Sequence, residues 1–89
     1  MSKVLLPYGK VSSAEEVGQL VRQKRKTIGR TQASISGLCG VGPRFLSELE
    51  RGKPTVELER SLQVLSRLGL DVWVVPRGWK PPAPGEDHE

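Results

Sequence analysis

The stretch richest in chemical content runs from Gly29-Arg30-Thr31-Gln32 to Gly40-Val41-Gly42-Pro43-Arg44-Phe45-Leu46-Ser47-Glu48-Leu49-Glu50-Arg51-Gly52. Thr31 suits an N-cap, Gly40 and Gly42 bracket a break, Pro43 fits the first position of a second helix, and Gly52 stops that helix. Ile35 and Leu38 are expected to face a core from the first helix, and Leu46 and Leu49 from the second. That leaves Pro43, Arg44, Ser47 and Glu48 outward. A guanidinium, a hydroxyl and a carboxylate on one face of so short a helix can hydrogen-bond base edges when the helix lies end-on in a major groove. The chemistry implied is recognition of duplex DNA.

Helix, tight glycine turn and helix at this spacing make a helix-turn-helix, and the flanking elements must hold it. Ser13 followed by Glu16 is a capping box, and Val17, Leu20, Val21 and Ile28 recur at helical spacing until Gly29, which predicts a first helix over about residues 14–28. Its outer face carries Arg22, Lys24, Arg25 and Lys26, placed so that some of them, not all, reach phosphates flanking the groove. After Gly52-Lys53-Pro54, Thr55 is expected to cap a last helix with Leu58, Leu62, Leu65 and Leu68 on one side, ended by Gly69.

Leu70-Asp71-Val72-Trp73-Val74-Val75 reads as a strand closed by Pro76. Both of its faces are largely apolar and both of its edges lack partners, so pairing with the same strand of a second copy is the economical solution. Pairing with Val4 to Leu6 of the same chain is the alternative. The fold class expected is mainly α, a four- to five-helix bundle with one C-terminal strand pairing across a dimer. Residues 1–12 read as an N-terminal arm, 13–77 as the DNA-binding and dimerisation domain, and 78–89 as a proline-rich acidic tail expected to be disordered. Trp79 is the one large apolar group of that tail.

Composition bounds the rest. Within 89 residues there is room for one domain, and two Trp, one Tyr and one Phe leave the core to Leu and Val, so a lone monomer would be marginal and oligomerisation is expected. The formal charge of +4 is uneven: residues 1–30 hold seven basic and two acidic side chains, residues 56–89 four and six. A basic pole of this kind favours a polyanion. No apolar run approaches the roughly 18 residues of a membrane span and no signal-peptide layout is present, which points to a cytoplasmic protein. The single cysteine, Cys39, suits a small buried hydrophobe, and the single histidine, His88, lies in the acidic tail. No metal site, Cys/His pair or triad can be assembled from them, so neither enzyme activity nor a cofactor is expected.

The run Val17-Gly18-Gln19-Leu20-Val21-Arg22 with Arg25-Lys26, Gly29, Thr31-Gln32, Gly40-Val41, Phe45 through Thr55 and Leu62-Gln63-Val64-Leu65 resembles the Xre and Cro type of repressor, whose fold is lambda-repressor-like. Glu50-Arg51-Gly52-Lys53-Pro54-Thr55, followed by Leu68-Gly69-Leu70-Asp71 and a strand, is similar to HipB-type antitoxins. The resemblance covers about residues 14–77. It implies a homodimer that binds double-stranded operator DNA, represses its own operon and partners a HipA-like serine/threonine kinase toxin.

Carried over by position, the resemblance implies base-reading roles for Pro43, Arg44, Phe45, Ser47 and Glu48. It implies phosphate contacts for Gln32 and Thr31 at the start of the first helix of the motif, for Gly42, and for Arg51 and Lys53 after the second. Arg44 is the best placed for guanine, and Phe45 either touches a thymine methyl or packs inward. Leu70, Val72, Trp73, Val74 and Val75 are the expected dimer contacts. Arg25 and Glu50 match a pair that forms an internal salt bridge in related repressors. Two positions depart from the family pattern: Gly42 stands where Ser or Thr is usual, and Arg30 where an apolar residue is common. A stand-alone repressor without a toxin is one alternative. A protein-binding kinase inhibitor that makes no use of its helix-turn-helix is another, against which Arg44, Gln32 and the basic pole argue.

Overall fold

The computed structural model describes residues 9–79. In chain order the helices are α1 (Ala14–Thr27), α2 (Gln32–Cys39), α3 (Pro43–Glu50) and α4 (Leu58–Arg67). The fold is mainly helical, as the sequence implies. Helix α3 packs on both α1 and α2, while α4 packs on α2, so α3 is gripped from behind and, among the described residues, its Arg44 side stays exposed. The expected segment Val4 to Leu6 and the tail from residue 80 onward lie outside the described residues.

Local signals account for the helix ends. Ser13 Oγ accepts the Glu16 N–H at 3.1 Å, as a capping box requires, but the return contact is displaced by one residue. Glu16 Oε1 accepts from the N–H and hydroxyl of Ser12 at 2.6 and 3.1 Å. Between α2 and α3, Gly40 sits at φ +73°, and the Val41 N–H turns back to Ser36 O at 3.0 Å. This is the left-handed helix stop that glycine adopts without a Cβ clash. The same return, N–H to a carbonyl five residues back, follows the other three helices: Arg30 to Arg25, Lys53 to Glu48 and Leu70 to Leu65.

The core is Val21, Ile35, Cys39, Val41, Leu46, Leu49, Val64, Leu65 and Leu68, with Val17, Leu20, Phe45, Val56 and Leu70 packed around it. Cys39 is the buried hydrophobe expected; burial raises its thiol pKa, partly opposed by the nearby Arg67 charge. Helix α1 approaches α3 closely because residue 18 is glycine. A Cβ there would collide with the carbonyl oxygen of Leu49 and lie 2.9 Å from that of Glu50.

Three details differ from the sequence reading. Leu38 faces solvent, and Ile35, Ser36 and Cys39 face inward instead. On α4 the buried face is Ser61, Val64, Leu65 and Leu68, while Leu58 is 71% exposed and Leu62 is exposed too. In both helices a serine takes the inward position because its hydroxyl bonds within its own helix region: Ser36 Oγ to Ala33 O at 3.0 Å, and Ser61 Oγ to Glu57 O at 2.7 Å. A satisfied hydroxyl is tolerated in a core, and counting leucines cannot anticipate it. The third detail is the cap of α4. Glu57, not Thr55, occupies the N-cap, without a side-chain hydrogen bond, because residues 51–55 are used in the turn after α3.

Residues 70–75 follow α4 without a hydrogen-bonded ladder to any other described residue. Leu70 packs on the core, whereas Trp73 is 81% and Val74 96% exposed. The chain then turns at Pro76, with the Trp79 N–H donating to Pro76 O at 3.1 Å.

Candidate nucleic-acid interface

The motif is locked from beneath by one buried ion pair. Arg25, on the last turn of α1, donates Nε to Glu50 Oε2 at 2.7 Å and Nη2 to Glu50 Oε1 at 3.0 Å, while its Nη1 donates to Arg30 O at 2.7 Å. Gln32, first residue of α2, adds Nε2 to Glu50 Oε1 at 2.9 Å. One carboxylate at the end of α3 thereby fixes the end of α1, the α1–α2 connection and the start of α2. Burial alone would push the Glu50 carboxyl up, but the hydrogen bonds from Arg25 and Gln32 and the charges of Arg25 and Arg22 hold it below the usual carboxylate range. The hydrogen bond to Glu50 correspondingly raises Arg25 against its own burial cost.

Above this lock lies the face of α3. Gly42 and Pro43 open the helix, exposed and without a side-chain cap, so backbone N–H groups of the first turn have no intrahelical partner. Arg44 projects from that turn with its side chain 91% exposed, and its Nε donates to Glu48 Oε2 at 3.2 Å. Glu48 is half-buried and also meets Lys53 Nζ at 3.4 Å through Oε1. Its partial burial favours the neutral acid, yet the hydrogen bonds and charges of Arg44 and Lys53 outweigh this and lower its pKa. Ser47 Oγ accepts from Arg51 Nη1 at 2.8 Å. Phe45 is half-buried against the core, which is the packing alternative of its two expected roles.

At the start of α2, Thr31 Oγ accepts the Ser34 N–H at 3.1 Å and keeps its own proton for an outside acceptor. Gln32 is half-buried, with its amide nitrogen engaged by Glu50. Arg30, read in the sequence only as a departure from a family pattern, is exposed here, and its Nη1 donates to Ser34 Oγ at 2.9 Å. A cation immediately before a helix N-cap is the signal that would have picked it out. Arg44, Glu48 and Lys53 thus form one linked set on α3 and its exit, and Ser47 with Arg51 a second, with Arg30 and Thr31 at the start of α2. The expected dimer residues Leu70, Val72, Trp73, Val74 and Val75 belong to none of these groups.

A family model for the helix-turn-helix matches residues 21–72. The chain belongs to this family, in its Xre type. It is 38% identical over 69 residues to the HTH-type transcriptional regulator y4mF of Sinorhizobium fredii, covering 78% of this chain and 91% of that one. Among solved structures it resembles the HipB-O4 20mer complex, with a TM-score of 0.72 and 18% identity over 79% of this chain and 99% of the other. It also resembles the HipA-HipB-O2-O3 complex, with a TM-score of 0.71 and the same identity and coverage. This helix-turn-helix protein is a DNA-binding transcriptional regulator, in a family of regulators and not of enzymes. Among the described residues no helix is long and apolar enough to cross a membrane.

Proposed function

We propose that the chain is a HipB-like antitoxin: a homodimer that binds operator DNA, represses its own operon and restrains a HipA-like serine/threonine kinase. The observation that carries this reading is the likeness to HipB over nearly the whole length of HipB, including the form in which HipB is held together with HipA and DNA. Arg44 reads guanine, Ser47 contacts a base or phosphate, and Thr31, Gln32, Arg30, Arg51, Lys53 and the first-turn donors after Gly42 grip phosphates. Residues 72–75 pair with a second copy, which sets two α3 helices about 34 to 36 Å apart on a palindromic site. Such a protein acts in the cytoplasm.

Arg44→Ala is expected to weaken operator binding by about 10- to 100-fold, the scale of one bidentate arginine–guanine contact, with little change on random duplex. Lys53→Ala should weaken both alike and flatten the salt dependence by about one ion. Binding titrations on the two duplexes check this, and an unchanged operator-to-random ratio in Arg44→Ala overturns the base-reading role.

The kinase surface must leave α3 free if toxin and operator are held together. The outer side of α4, with Glu57 and Arg60 paired at 3.4 Å, meets that condition, and the tail from Arg77 to Glu89 is the second candidate surface. The test is co-expression with a kinase-like reading frame adjoining the gene. Co-purification of a complex that still shifts operator DNA is expected. A stand-alone repressor is the second reading, favoured by the likeness to y4mF, and it stands if no such kinase is retained.

A further inference from the structure

We propose that Glu48 is a positioning residue that orients Arg44 for end-on guanine recognition and holds down sequence-independent DNA binding. The inference deepens the base-reading role proposed for Arg44 and rests on it. An exposed arginine has many rotamers, and a guanidinium can offer a base either its Nε–Nη2 side or its Nη1–Nη2 end. Here the Nε of Arg44 is taken by Glu48 Oε2 at 3.2 Å, one helical turn away, which leaves the Nη1–Nη2 end of a side chain 91% exposed for the base.

Glu48 is itself well fixed. Its side chain is only 18% exposed, and its second oxygen faces Lys53 Nζ at 3.4 Å. An ion pair one turn apart whose arginine is 91% exposed contributes little to stability, so stability does not account for the arrangement. Functionally the carboxylate does two things at once. It fixes the arginine fork before DNA arrives, lowering the ordering cost of the specific contact. It also places one negative charge between two cations on the face that meets phosphates, which weakens attachment to any duplex.

These two roles predict effects of opposite sign in Glu48→Gln. Binding to random duplex should tighten about 3- to 10-fold and steepen with salt by about one ion. The preference for a duplex selected from a random pool by the wild-type chain should fall about tenfold, part of the value of a bidentate contact. Replacing the contacted guanine by 7-deazaguanine should weaken the wild-type protein and have little effect on Glu48→Gln. Lys53→Met, which removes a cation but spares the Arg44 bond, should keep both the preference and the 7-deazaguanine penalty. Thermal melting by circular dichroism establishes that each variant is folded. A Glu48→Gln protein with an unchanged preference and an intact 7-deazaguanine penalty overturns the proposal. An intact penalty with a changed preferred base at a cytosine position overturns it too, because Glu48 would then read a base itself. Failure of the base-reading role is distinct: Arg44→Ala would then keep the wild-type preference.

Discussion

Arg25→Ala is expected to cost about 3 to 5 kcal/mol of folding stability, the typical effect of removing one partner from a buried ion pair. The variant leaves the Glu50 carboxylate, with its side chain 2% exposed, holding only the Gln32 amide as a donor, and it strips the Arg30 carbonyl of its partner. A small domain has a net stability of about 5 kcal/mol, so the loss consumes most of it. Urea denaturation should show a midpoint near zero denaturant, and operator binding should fail with it. Replacing both partners, Arg25→Met with Glu50→Leu, should recover much of the stability, because no buried charge is stranded. Acid titration gives a second reading of the same pair. Glu50 has its folded-state pKa lowered, so its contribution is complete above the unfolded value of about 4.3 and is lost as pH falls through the lowered value. The wild type should lose stability in that acid window, and Arg25→Ala should lose this dependence. A single variant less than about 1 kcal/mol below wild type would show that the pair does not hold the motif together.

The parts legible in the sequence are those written in local chemistry. Thr31, Pro43 and the glycines after each helix set the boundaries of α2 and α3 through caps and left-handed stops, which depend on a few adjacent residues. The Arg25–Glu50 pair spans 25 positions and carries no local signal. It came only with the resemblance to known repressors, and the bidentate geometry agrees with it. Solvent-facing leucines were the misleading feature, since Leu58 and Leu38 are apolar enough to suggest a core while satisfied serines fill the inward positions. The network among Arg44, Glu48 and Lys53 could not be read from residue types, because a list of outward groups does not say which of them bond to each other. Residues 70–75 are the opposite case. Their pattern announces a strand, but a ladder needs a partner, and no other described residue supplies one.

The second large effect is expected at that segment. Trp73→Glu combined with Val74→Lys should convert a dimer to a monomer and weaken operator binding by about 10²- to 10⁴-fold, the gain that linking two half-site modules provides. The substitutions are chosen because these side chains are 81% and 96% exposed in the single chain and are not among the core residues, so the helical fold has no reason to fail in the monomer. In a paired sheet the same positions would carry charges into an apolar contact, where burial of an unpaired charge is prohibitive. Random duplex, gripped by phosphate contacts within each protomer, should lose far less. Sedimentation gives the assembly state, circular dichroism the fold, and titration on the selected duplex the affinity. A folded variant that still sediments as a dimer would remove residues 73 and 74 from the interface. The exposed Leu58 and Leu62 on α4 would then be its next candidates. They are exposed apolar side chains one turn apart on α4, and Leu58→Glu with Leu62→Glu would separate the protomers where the first pair had not.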